Sequence, residues 1–144
     1  MAGVTENYSF TVDELLSAAG TQRRSMECGD NYDTDHVVEL QLVVAALNTL
    51  RVRTYYRKGW ERDLVDFFNE KKNLKCKKPE KNREKGRAVK KYIRYRNGKR
   101  LTKKEQKWIN KIKAHWKDIR GDMDRFDFKR FQRALNNLLE MKKK

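Results

Sequence analysis

At 144 residues the chain has the length of one domain, with no room for a second sizeable core. Hydrophobic residues make up 38% of it and only one proline and seven glycines occur, which excludes a disordered tail and indicates a compact fold. No apolar stretch is as long as a transmembrane helix and no signal-peptide core opens the sequence. We therefore expect a soluble, intracellular protein, cytoplasmic or nuclear, with no membrane contact.

The formal net charge of +16 is concentrated in one part of the chain. Residues 1–38 hold two basic and seven acidic residues, whereas residues 71–104 hold seventeen basic and two acidic residues, a net charge of +15. A lysine-rich run is usually a solvated face. Here its excess is steep enough to supply the counter-charge that a polyphosphate substrate needs, which favours nucleic acid as the partner.

The first third of the chain predicts one helix and one strand. Thr11 and Glu14 form a capping box before a short helix that Gly20 ends, and an irregular segment follows to residue 31. Residues 32–38 have the β-branched composition of a strand. Cys28 precedes this strand and Cys76 lies in a later one. Two cysteines cannot form a four-cysteine zinc site, and we expect both to be reduced and packed, with a disulfide only if the protein is exported.

Residues 39–70 predict a helical insertion. The run 39–50 is apolar on nearly every side, which indicates a helix buried on more than one face; the alternative is a helix that faces a partner, for example in a homodimer. Tyr55, Tyr56 and Arg57 follow, and packing at the edge of the core is favoured there over stacking on bases. Beyond Gly59, apolar residues recur at helical spacing to about Glu70.

The second half predicts a short strand and three helices. Residues 74–77 form the strand, Pro79 ends it, and a basic helix runs to Ile93, with a turn at Asn97-Gly98. Two helices with apolar stripes then span 101–141, the first capped by Thr102. We give His115, on the first of them, no catalytic role. The predicted fold is a single α+β domain, mostly helical, with a small β-hairpin.

Two stretches of this sequence carry chemistry together. The first is Asp33-Thr34-Asp35-His36, and the second combines Asn73-Leu74 with Lys81-Asn82-Arg83-Glu84-Lys85-Gly86. A carboxylate, an imidazole and an amide oxygen can together hold one divalent ion and activate one water molecule. The order and spacing of the two stretches resemble the HNH, or His-Me finger, endonucleases. They are most similar to the variant in the HNH domain of CRISPR RNA-guided DNA nucleases, whose last motif residue is Asn.

The resemblance covers residues 32–95 and implies a role for each motif residue. His36 corresponds to the general base, Asp35 and Asn82 to the metal ligands, and Asn73 to the asparagine that braces the loop. The longer separation of His36 and Asn73 departs from compact members of the family and implies an insertion in the hairpin. Asn48 competes with Asn73 for the bracing role, but the spacing from Asn73 to Asn82 favours Asn73.

A metal-dependent phosphodiesterase mechanism follows from these groups. Uncharged His36 takes a proton from the attacking water, and one Mg²⁺ or Mn²⁺ on Asp35 and Asn82 contacts the scissile phosphate. The resemblance implies DNA rather than RNA as substrate and products with 5′-phosphate and 3′-hydroxyl ends. The backbone is expected to contact five cations of the basic helix: Arg83, Lys85, Arg87, Lys90 and Lys91. The competing hypothesis is a non-catalytic nucleic-acid-binding protein that uses the same basic segment.

Overall fold

The structure is a computed structural model that describes residues 10–50, 58–95 and 100–141. In these ranges six helices surround one two-stranded sheet, so the predicted mostly helical α+β fold is confirmed. The elements in chain order are α1 (Val12–Ala19), β1 (Asp33–His36), α2 (Leu40–Leu47), α3 (Trp60–Phe68), β2 (Leu74–Lys77), α4 (Pro79–Tyr95), α5 (Lys103–Ile119) and α6 (Lys129–Leu138).

The hairpin and the helix that follows it form a compact ββα unit. β1 and β2 are antiparallel, with Asp35 opposite Lys75 and His36 opposite Leu74. Because side chains directly across an antiparallel pair share a face, Asp35 and Lys75 lie on one side of the sheet and His36 on the other. Pro79, whose missing N–H costs nothing in the first turn of a helix, then begins α4 directly after β2.

The insertion between the strands supplies much of the hydrophobic core. Six of the eight residues of α2 are buried, and they contribute to one cluster with residues of α1, α3, α4, α5 and α6. The helix α2 is therefore buried on several faces by other elements of the chain, as predicted. The alternative of a homodimer through residues 39–50 stays a prediction.

The helix ends predicted from capping residues and from glycine agree with the structure at α1 and α5. Thr11 and Thr102 each accept a hydrogen bond from the backbone three residues on, and Glu14 and Glu105 return one, so both predicted capping boxes are present. Gly20 ends α1 with a φ of 67°, a conformation that favours glycine. The predictions for Tyr55, Tyr56, Arg57 and the Asn97-Gly98 turn fall outside the described residues. None of the helices in the described ranges combines the length and apolar character needed to cross a membrane.

Cys28 and Cys76 form a disulfide, which corrects the prediction of two reduced cysteines. Their Cα atoms lie 5.6 Å apart across 48 positions of sequence. The pairing was hidden from the sequence because Cys28 lies in an irregular segment whose path depends on contacts with β1. Thr34 fixes that path: its hydroxyl accepts a hydrogen bond from the Met26 N–H at 2.9 Å and donates one to the Met26 carbonyl at 3.3 Å.

Candidate active site

The ββα unit and the segment before it bring three of the predicted site residues to one pocket. The pocket has a volume of about 500 Å³ and receives residues from β1, from the start of α2, from α4 and from the irregular segment. Its walls are Arg23, Arg24, Ser25, Asp33, Thr34, Asp35, His36, Glu39 and Asn82. Asp35, His36 and Asn82, separated by up to 47 positions in sequence, thus line the same cavity.

Asn73 lies outside this pocket and holds the two strands together. Its side chain is fully buried, accepts a hydrogen bond from the Val38 N–H at 2.9 Å and donates to the Val38 and Phe68 carbonyls at 3.1 and 2.9 Å. These bonds are what the bracing role requires, so Asn73 is a positioning residue and does not line the pocket. Asn48, the competing residue, instead hydrogen-bonds the backbone of Phe10, away from the hairpin.

Asn69 fixes the tautomer of the His36 imidazole. The Asn69 amide nitrogen donates to the Gln22 carbonyl at 3.1 Å, and its oxygen accepts from the Arg24 N–H at 3.2 Å. The same oxygen lies 2.7 Å from His36 Nε2, so Nε2 must carry the hydrogen. In the neutral ring Nδ1 is then the basic nitrogen. Burial lowers the pKa of His36 below its usual value, although the Asn69 hydrogen bond opposes this, and the ring is neutral at pH 7.

Asp35 is held by a buried lysine. Lys85 Nζ lies 2.9 and 3.0 Å from the two carboxylate oxygens of Asp35 and donates to the His36 carbonyl at 2.7 Å. Both side chains are only 2% exposed. Because its ammonium is enclosed, Lys85 does not belong among the surface cations expected to bind a nucleic-acid backbone, which corrects that prediction. Burial lowers the pKa of Lys85, whereas the Asp35 carboxylate raises it.

Glu39 adds a second carboxylate to the pocket. Its Oε2 atom is buried and has no hydrogen-bond partner among the described residues, and the nearest cation is Lys85 Nζ at 3.8 Å. Burial raises the pKa of Glu39 above its usual value, although Lys85 and the hydrogen bond from Gln41 oppose the rise. An unpartnered buried oxygen is costly unless it is protonated or meets a ligand.

The oxygen donors that line this pocket are the groups that could hold a hard divalent ion. In the described parts of the chain, no three side chains of His, Cys, Asp or Glu form a group that could hold a metal ion. Magnesium, however, commonly binds one or two carboxylates and completes its shell with water and substrate phosphate. Asp35, the Asn82 amide oxygen and the unpartnered Glu39 oxygen supply such a set. Lys85 competes for Asp35 but leaves free some of the roughly four lone-pair positions of a carboxylate.

The other cations of the basic helix are distributed as expected. Arg83, Arg87 and Lys90 are exposed on α4, while Lys91 is partly paired with Glu105 at 3.0 Å. Arg23 and Arg24 add two cations that the sequence did not assign, from the otherwise acidic N-terminal segment. Their approach to the pocket follows from the Asn69 hydrogen bonds and the disulfide. The pairs Asn69–His36 and Lys85–Asp35 are likewise tertiary contacts, between residues 33 and 50 positions apart, and no local pattern in the sequence predicted them.

We compared the chain with models of known protein families, with curated proteins and with solved structures, and none of these comparisons gave a match. A function must therefore be argued from the residues of the chain itself.

Proposed function

We propose that the protein is a metal-dependent endonuclease of HNH type that hydrolyses phosphodiester bonds, with DNA as the favoured substrate. The observation that carries the proposal is the state of His36. Asn69 holds its Nε2–H, burial keeps the ring neutral, and the same pocket contains the oxygen donors Asp35 and Asn82. DNA is favoured because the motif resembles that of DNA nucleases.

In the proposed reaction His36 acts as the general base. Its Nδ1 takes a proton from the attacking water, and the Asn69 oxygen stabilises the imidazolium that forms through the Nε2–H bond. Lys85 fixes the orientation of the Asp35 carboxylate through contacts to both of its oxygens. A divalent ion on Asp35 and Asn82 would neutralise charge on the scissile phosphate and the leaving oxygen. Arg23 and Arg24 bring positive charge to the same wall, where a phosphate would lie.

The second candidate is a non-catalytic nucleic-acid-binding protein. The observation that favours it is the same ion pair, because Lys85 already bridges both oxygens of Asp35 and places a positive charge beside the proposed metal position. Exposed cations of α4 would then bind the backbone without chemistry.

Cleavage of supercoiled plasmid and of structured RNA, with Mg²⁺, Mn²⁺ or EDTA, separates the two candidates. The nuclease cleaves in either metal and stops in EDTA, whereas a binding protein retains the nucleic acid in EDTA and never cleaves it. His36→Ala should lower cleavage by at least the ~10²-fold typical of a general base while duplex binding stays near wild type, measured at a temperature at which circular dichroism shows the variant to be folded. Cleavage by His36→Ala within a few-fold of wild type would remove the catalytic assignment.

A further inference from the structure

A second pocket lies between the hairpin, α4 and α5, and four of its eleven lining residues are lysines. It has a volume of about 410 Å³ and includes Lys75 and Lys77 of β2 and Trp108, Lys111 and His115 of α5. Alternation along a strand places residues 75 and 77 on one face, and helical spacing places 108, 111 and 115 on one side of α5. Two elements thus direct their basic residues into the same space.

The positive charge of this pocket is largely uncompensated. Lys75 and Lys111 form no ion pair with any described residue, and Lys77 reaches only Asp35, at 3.7 Å. Asp35 is itself held by Lys85 at 2.9 Å, so its charge is already matched. Asp118 is the other carboxylate at the pocket. The three lysines therefore leave a net positive charge that an anion would neutralise.

One aromatic side chain, Trp108, contacts two of these lysines. The Nζ atoms of Lys77 and Lys111 lie 4.7 and 4.9 Å from the centre of the Trp108 ring, so cation–π contacts bring both ammonium groups to one wall. His115 Nε2 is buried and has no hydrogen-bond partner among the described residues, although the ring makes a hydrogen bond with the backbone of Lys72. Burial lowers the pKa of His115, so the positive charge of the pocket comes from its lysines.

We propose that this pocket binds the phosphate oxygens of an oligophosphate anion, either the backbone of a nucleic-acid strand or the phosphate chain of a nucleotide. Lys75, Lys77 and Lys111 would supply charge-assisted hydrogen bonds to the phosphate oxygens. The pocket goes beyond the proposed nuclease function, because phosphate binding by its lysines requires no hydrolysis at His36. It nevertheless adjoins the candidate active site, since Asp35 lines both pockets.

The test is a calorimetric titration of the full chain, in EDTA so that no metal-dependent cleavage takes part. The probes are inorganic pyrophosphate, ATP and an eight-nucleotide oligothymidylate. The variant is Lys75→Glu combined with Lys111→Glu. The matched control is Lys113→Glu combined with Lys117→Glu, which makes the same charge change on the opposite side of α5. Loss of two charge-assisted bonds should weaken binding at least ~10-fold, while the control should stay within about twofold for two distant surface charges.

The pattern across probes identifies the source of the phosphate. If pyrophosphate and ATP bind wild type more tightly than the oligonucleotide and the double variant loses them, the ligand is a free oligophosphate. If the oligonucleotide binds more tightly and is lost in the double variant, the ligand is a nucleic-acid strand. Equal binding of all three probes by wild type and the double variant, or an equal loss in the control, overturns the site. None of these results depends on whether the protein cleaves nucleic acid, because the titrations are carried out in EDTA.

Discussion

Replacing Lys85 by Met tests how the candidate active site is held together. The substitution preserves an unbranched side chain but removes the ammonium that contacts both Asp35 oxygens and the His36 carbonyl. Asp35 would then be a buried carboxylate whose nearest remaining cation is Lys77, at 3.7 Å. With both partners 2% exposed, solvent cannot take over the lost contacts.

Breaking a buried ion pair from one side costs about 3–5 kcal/mol, and we expect a loss of that size in the free energy of unfolding. At about 2–4 °C per kcal/mol for a chain near this length, the melting temperature should fall by roughly 6–20 °C. Adding Asp35→Asn to the same protein removes the unpaired charge, so part of the loss should be recovered. Magnesium should also recover part of it, because an ion bound to the released carboxylate stabilises the folded state by mass action.

The measurement is urea unfolding followed by circular dichroism, in EDTA and again with Mg²⁺. Lys90→Met is the matched control, since Lys90 is exposed on the same helix and surface changes usually alter stability by less than about 0.5 kcal/mol. A loss below about 1 kcal/mol at an unchanged denaturant slope would show that the pair does not hold the site. Equal stability of the variant with and without Mg²⁺ would count against Asp35 as a metal ligand.

Three further predictions concern the same unit. The His36 pKa, measured by NMR in metal-free protein, should lie below 6.5, and a value above 6.5 would contradict this prediction. Because the folded state disfavours the protonated ring, the contribution of His36 to stability is complete above pH 6.5. That contribution declines as the pH falls towards the pKa of the folded state. Replacing Cys28 and Cys76 by serine should lower the free energy of unfolding by about 4 kcal/mol, according to the loop-entropy account of a 48-residue separation. Cleavage should also fall, because the segment that positions Asn69 is released. Unfolding curves of the wild type that do not change when reductant is added would refute this. Asn82 lies in the first turn of α4, past the position of the N-cap. Asn82→His should cleave better than Asn82→Ser, and better in Mn²⁺ than in Mg²⁺, because imidazole can ligate the softer ion whereas the short serine side chain cannot reach it. A more active Ser variant would show that Asn82 is not a metal ligand.

The sequence predicted those parts of the site that depend on local patterns. The hairpin, the helix after Pro79 and the bracing position of Asn73 each have a signal within a few residues, as have the two capping boxes. The orientation of His36 could not be predicted in this way, because it depends on Asn69, 33 positions away. Lys85 looked like one more cation of a basic helix, and its burial follows only from the way α4 crosses β1. The disulfide likewise required the path of a segment that has no periodic pattern.

The long insertion in the hairpin has a consequence for the order of folding. His36 pairs with Leu74, 38 positions further along the chain, so the hairpin cannot close as a local turn. Joining ends that far apart costs about 2.6 kcal/mol more in chain entropy than closing a two-residue turn. We therefore expect the helices of the insertion to form before β1 meets β2, so that the candidate site pocket is assembled late. Substitutions in the hairpin should then accelerate unfolding and leave the folding rate nearly unchanged.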